Sequence, residues 1–112
     1  MVNTPEQGDL IWLSFSPQSG REQAGRRPAL VLSALAYNEK SGLALVCPIT
    51  SKAKGYPFEV ALPAGGPIQG VVLADQVRSL DWRSRNAELI AKAPRSCVDR
   101  VRQLVSTLLG SS

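Results

Sequence analysis

Apolar residues along this chain fall in short clusters, and only the last cluster has helical spacing. Leu10-Ile11-Trp12-Leu13 is nearly continuous and predicts a first strand over Asp9 to Phe15, with Gly8 as a turn before it. A polar stretch, Ser16 to Arg26, separates it from Ala29-Leu30-Val31-Leu32-Ser33, which reads as a second strand behind Pro28. Ala34 to Gly42 holds Asn38, Ser41 and Gly42 and reads as a connection with room for one helical turn. Leu43 to Thr50 predicts a third strand, with Pro48 marking an edge or bulge. Phe58, Val60 and Leu62 alternate with Glu59 and Ala61, so Pro57 to Leu62 predicts a half-exposed strand. Pro63-Ala64-Gly65-Gly66-Pro67 is a turn cluster. Gly70 to Ala74 and Gln76 to Leu80 then predict two short strands or one bent strand. Asp81 to Asn86 is a polar corner, and Ala87 to Ala91 is a further short strand.

From Pro94 the period changes. Val98, Val101, Leu104, Val105, Leu108 and Leu109 fall on one helical face, and Asp99, Arg100, Arg102 and Gln103 on the other. Pro94 suits a helix start and Gly110 a stop. Many short strands followed by one helix predict a mainly β fold, a small, strongly bent antiparallel barrel with a helix packed on it.

At 112 residues the chain is expected to form one domain over 1–112, without internal repeats. Apolar residues at 44% against charged residues at 20% exclude a disordered chain. The formal charge of +4 leans toward a polyanionic partner. Cys47 sits in an apolar run and Cys97 opens the helical pattern. That spacing fits neither a metal site nor a redox pair and predicts two buried free thiols. Met1 to Gln7 has no cationic start or apolar core, and no apolar run has membrane-spanning length, so a cytoplasmic protein is expected. There is no histidine. Any chemistry must proceed without the usual neutral-pH acid–base residue and without a histidine metal ligand.

Candidate chemistry begins where Glu22-Gln23-Ala24-Gly25-Arg26-Arg27-Pro28 runs into the second strand. Two guanidinium groups at a strand edge suit phosphate oxygens. Lys52, Lys54 and Tyr56 form a basic turn that either tracks phosphates and stacks on a base or is a solvated hairpin. Gln76, Arg78, Trp82, Arg83 and Arg85 make a second polar–aromatic patch, unless Trp82 belongs to the core. Trp12 and Phe15 are assigned to the core or to a subunit interface.

Several of these blocks together resemble one family. Gly8-Asp9-Leu10-Ile11-Trp12, Glu22-Gln23-Ala24-Gly25 and Arg27-Pro28-Ala29 match the opening of the PemK/MazF family, the toxin endoribonucleases of toxin–antitoxin pairs. Pro48-Ile49-Thr50-Ser51, Lys54 to Val60 and Ala74 to Ser79 continue the match in order and spacing. The resemblance implies an SH3-like barrel of the PemK/CcdB toxin type, assembled as a homodimer. It implies a metal-independent nuclease that cuts single-stranded RNA at short sequences, with no cofactor. The ribose 2′-hydroxyl would attack the adjacent phosphorus, leaving a 2′,3′-cyclic phosphate and a 5′-hydroxyl.

By the same resemblance Arg27 and Thr50 are the catalytic pair. Glu22, a carboxylate in the preceding loop, either orients Arg27, accepts a proton or is simply solvated. Arg26 stands where known members can carry histidine, so an imidazole base is not indispensable there. It is expected to add phosphate affinity, with Lys52, Lys54, Tyr56, Gln76, Arg78 and Arg83 as further RNA contacts. A cognate antitoxin with an extended acidic segment is the expected second partner, laid over the same basic groove. Two other readings compete: a non-enzymatic, gyrase-binding toxin of the CcdB type, and an SH3-like binding module without activity.

Overall fold

The computed structural model describes residues 3–15 and 25–110. Among these, seven strands and two α-helices are laid down as β1 (Asp9–Ser14), β2 (Arg26–Val31), α1 (Leu35–Ser41), β3 (Leu43–Thr50), β4 (Glu59–Ala61), β5 (Val71–Leu73), β6 (Arg78–Asp81), β7 (Glu88–Lys92) and α2 (Arg95–Leu108). A 3₁₀ turn over Ala74–Gln76 joins β5 to β6. The strands run antiparallel in the order β4-β5-β3-β2-β1-β7, with β6 also paired to β3. The expected β fold with a terminal helix is present. The bent sheet remains open, with β4, β6 and β7 each paired on one side only.

Strand alternation gives the sheet two apolar faces. On one, Leu10, Leu30, Cys47, Ile49 and Val72 pack beneath α2 through Cys97, Val98, Val101 and Leu104. On the other, Ile11, Leu13, Ala29, Val31, Ala44, Val46 and Leu80 pack with Trp82. Trp82 is 1% exposed and donates its indole N–H to the Asn38 carbonyl at 3.0 Å, so it belongs to the core and not to a surface patch. The helix is covered only over its first three turns. Leu108 and Leu109, predicted to share the buried face, are exposed.

Three departures from the sequence reading bear on the site. First, β2 begins at Arg26, three residues before the predicted start. It pairs with β1 from Ser14↔Arg26 onward, but with β3 only from Ala29↔Pro48. Pro28 is tolerated because this end of β2 is laddered on one side only. Second, Pro48 lies in a central strand and not at an edge. There β3 changes its second partner, from β6 (Val46↔Arg78) to β5 (Ile49↔Val72). A residue without an N–H suits that changeover, and the Ala74–Gln76 turn spans the same gap between β5 and β6.

Third, the segment read as a connection is a seven-residue helix, α1. Its turn-like Asn38 is fully buried and donates through Nδ2 to the carbonyls of Pro5 (2.8 Å) and Ser33 (3.1 Å). Gly42, at φ 74°, stops the helix.

Candidate functional site

The site lies where the β2–β3 ladder ends. Continuing the register Ala29↔Pro48 by two residues sets Arg27 against Thr50, on the face that carries Ala29, Val31 and Val46. Pro28 would have to donate to extend the ladder and has no N–H. The two strands make no further pair beyond Ala29↔Pro48, and space opens at their ends. Three adjoining cavities share Arg27 as a wall.

The largest, about 450 Å³, lies among Trp12, Pro28, Ile49, Thr50 and Ile68. The second, about 320 Å³, adds Lys52, Lys54 and Tyr56 to Arg27 and Thr50, with Glu59, Asp75 and Gln76 on its far side. The third, about 270 Å³, is lined by Phe15, Arg27, Pro48, Gln76 and Arg78. Among the described residues its wall has two guanidinium groups and no carboxylate, a combination suited to an anion.

Arg27 is exposed, and its guanidinium makes no hydrogen bond or ion pair among the described residues. Thr50 Oγ1 accepts from the Lys52 N–H at 3.2 Å, which leaves its own proton to donate. Thr50 is held from behind by Gly70. At φ +125° this glycine comes so close that a Cβ there would lie 2.2 Å from the Thr50 carbonyl oxygen.

Glu59 stiffens the basic turn. Its carboxylate accepts from the backbone N–H of Lys54 (3.1 and 3.0 Å) and of Gly55 (2.9 Å). Above it, the Lys54 ammonium stands 6.0 Å from the ring centre of Tyr56, which is 60% exposed. Arg78 is stacked 5.5 Å over the Phe15 ring, a cation–π contact that holds it at the third cavity. Beneath the turn that carries Asp75, burial and then the Asp75 charge push the Cys47 thiol up to about 12.

Arg27, Thr50, Lys52, Lys54, Tyr56, Gln76 and Arg78 thus come together in one groove. Two expected members do not. Arg26 points to the opposite face of β2, as alternation requires of a strand neighbour of Arg27. It bonds there to the Asn86 carbonyl and to Glu88, both at 2.8 Å. Arg83 lies beyond the far end of β6, 4.8 Å over the Trp82 ring, and lines none of the three cavities. Glu22 lies outside the described residues. Asp75, Glu59, Phe15 and Trp12 are groove residues that the sequence reading did not put there. For Phe15 and Trp12, alternation from Leu13 gives a facing but not a neighbour, so only the tertiary fold identifies them. Among the described residues no group of three carboxylates or thiols is placed to hold a metal ion. No helix among them is long and apolar enough to cross a membrane.

Comparison with known proteins gives the family and the fold. Residues 6–109 match the model of the family described as PemK-like, MazF-like toxin of type II toxin-antitoxin system. The endoribonuclease toxin MazF of Escherichia coli K12 is 46% identical over 106 residues, 95% of each chain. In the crystal structure of MazE-MazF (Form-II) from Deinococcus radiodurans, a chain superposes with a TM-score of 0.88 at 54% identity, covering 99% of this chain and 100% of that one. MazF (Form-I) from the same organism gives 0.88 at 59% identity, covering 97% and 99%. With a family match across nearly its whole length and a curated relative 46% identical over 95% of each chain, the chain belongs to the PemK-like, MazF-like toxins of type II toxin–antitoxin systems.

Proposed function

We propose that this toxin is a sequence-specific endoribonuclease that cuts single-stranded RNA without a metal ion, by attack of a ribose 2′-hydroxyl on the adjacent phosphorus. The observation that carries it is the position of Arg27, at the meeting point of three cavities and across from the Thr50 hydroxyl. Transesterification needs charge stabilisation on the phosphorane, removal of one proton and delivery of another. Arg27 stabilises the phosphorane through its fixed fork of donors. Arg78 shares that task from the third cavity. Thr50 donates to a phosphate oxygen or orients the attacking hydroxyl.

With no histidine in the chain, the 2′-proton goes to a carboxylate, and the leaving 5′-oxygen takes a proton from that carboxyl group or from water. Glu22 or Asp75 fills that role. Lys52, Lys54 and Gln76 line the RNA path, and Tyr56 stacks on a base. The protein works as a homodimer in the cytoplasm, through this one toxin domain. Two copies carry +8, twice the +4 of one chain. That charge favours RNA, and it favours the acidic tail of an antitoxin over the same groove. The gyrase-binding alternative has no support here, since the MazF relative is named an endoribonuclease toxin.

The test is a mixed-sequence single-stranded RNA in excess EDTA, with product ends mapped for wild type and Arg27→Ala. Discrete cuts by wild type alone, with cyclic phosphate and 5′-hydroxyl ends, are expected. Equal cutting by Arg27→Ala, or cutting that requires added metal, overturns the proposal.

A further inference from the structure

We infer that Arg26 is a positioning residue for Arg27 and not an RNA contact, with Glu88 and the Asn86 carbonyl as its anchor. The inference rests on the nuclease reading of the groove.

The end of β2 that carries Arg27 is held by backbone on one side only, where the β1 pairing is followed by the Phe15 N–H donating to the Gly25 carbonyl at 2.8 Å. It lies outside the β2–β3 ladder and pairs only with β1, whose last pair is Ser14↔Arg26. Arg26 adds a side-chain tie on the reverse face, in place of the β3 partner that this end lacks. One guanidinium nitrogen donates to the Asn86 carbonyl and to Glu88 Oε1, both at 2.8 Å, and the other reaches Ser14 Oγ at 3.5 Å. Glu88 belongs to β7, which pairs with β1 on its other side at Trp12↔Glu88. The side chain therefore spans three strands, from β2 across β1 to β7. Its own exposure is 17%, against 69% for Glu88. A phosphate would have to compete with these bonds from the wrong side of the sheet.

Consecutive strand residues share a peptide plane. Bracing Arg26 fixes the backbone from which the Arg27 side chain leaves, and an Arg fork suits the task because it meets three acceptors at once. Lysine would keep the charge and lose the geometry.

The test is steady-state cleavage with RNA binding over a salt series, for wild type, Arg26→Lys, Arg26→Met and Glu88→Gln. Thermal melts confirm that each is folded. Removing the brace should lower kcat on the order of 10- to 100-fold in Arg26→Met, with KM little changed, because misplacing a reacting group costs rate. The salt slope of binding should stay at the wild-type value. Arg26→Lys should lose kcat despite its unchanged charge.

Glu88→Gln gives the sharpest contrast. Removing an exposed negative charge from an RNA-binding protein would improve binding if charge alone mattered, whereas the brace requires kcat to fall. A raised KM for Arg26→Met, with a salt slope smaller by about one and kcat unchanged, would make Arg26 a phosphate contact and overturn the inference. Wild-type kcat in both Arg26→Met and Glu88→Gln would overturn it too. Backbone amide exchange at Arg27 reads the brace without RNA. Faster exchange in Glu88→Gln supports it even if wild type cuts nothing, an outcome that would sink only the nuclease reading. Unchanged exchange in both variants counts against the brace.

Discussion

The two faces of the sheet are built from similar strands and end differently. The face under α2 is apolar along its length and closed by a helix. The other starts the same way and changes character within a few residues. Along β2, Val31 and Ala29 are fully buried and Arg27 is exposed. Along β3, Val46 is fully buried and Thr50 is partly open. The difference arises from hydrogen bonding more than from hydrophobicity. Pro28 and Pro48 mark where the ladders stop or change partners, and the polar groups collect in the space left between strands. One face supplies stability, and the other supplies stability at one end and reactivity at the other.

The largest test of that division is Arg27→Ala. It should lower the cleavage rate by roughly 100- to 1,000-fold or more, as loss of a transition-state donor does. It should leave stability within about 0.5 kcal/mol, as expected of an exposed side chain. A large drop in melting temperature would mean that the open end also holds the fold together.

Gly70→Ala should break both properties at once. Its Cβ would meet backbone and its φ disfavours a side chain, so about 1–3 kcal/mol of stability should be lost. Thr50 must shift to make room, and cleavage per folded molecule should fall with it. Wild-type kcat in this variant would show that Thr50 need not be held where Gly70 holds it.

Val101→Ala, beneath α2 and fully buried, should give the opposite pattern. About 2 kcal/mol of stability should go, visible as a lower urea midpoint, with kcat per folded molecule unchanged. A fall in kcat would show that the helix face also shapes the groove.

The effect that needs the most extreme conditions is in alkali. Burial raises Cys47 from 9.0 to about 12 and raises Cys97 in the same direction. The folded chain then keeps thiol protons that the unfolded chain gives up. This contribution is complete below pH 9 and is lost as pH rises toward the folded values, at no more than about 1.4 kcal/mol per pH unit for each thiol. Urea midpoints from pH 7 to 11 should be flat and then fall, and Cys47→Ala should fall less steeply. Equal slopes in the two proteins would remove Cys47 as the cause.

Much of the helix-covered face was legible in the chain. The Leu43–Thr50 strand, the buried thiols and the terminal helix follow from period and composition alone, because burial on a regular element leaves a regular trace. The reactive end was legible through motif residues and less so through pattern. Pro28 reads as a barrier to a strand and is in fact inside one, since proline is harmless where only one neighbour needs its hydrogen bonds. Starting β2 at Arg26 would have separated the two arginines by simple alternation. Asn38 misled for a related reason: a turn-forming amide and a buried amide that ties loops together look alike in sequence. Nothing local marks Glu59 as the group that holds the Lys54 turn, or Gly70 as the residue behind Thr50.

The two tryptophans divide the molecule in the same way. Trp82 is enclosed and bonded to the Asn38 carbonyl, and Asn38 is bonded in turn to Pro5. Its indole reaches that environment only when the N-terminal segment, α1 and the end of β6 have met. Trp12 is half-buried at the wall of the largest cavity beside Arg27. The protein therefore carries two optical reporters of different events. Emission from a Trp12→Phe variant follows assembly of the chain. Emission from a Trp82→Phe variant, if it folds, follows occupancy of the groove.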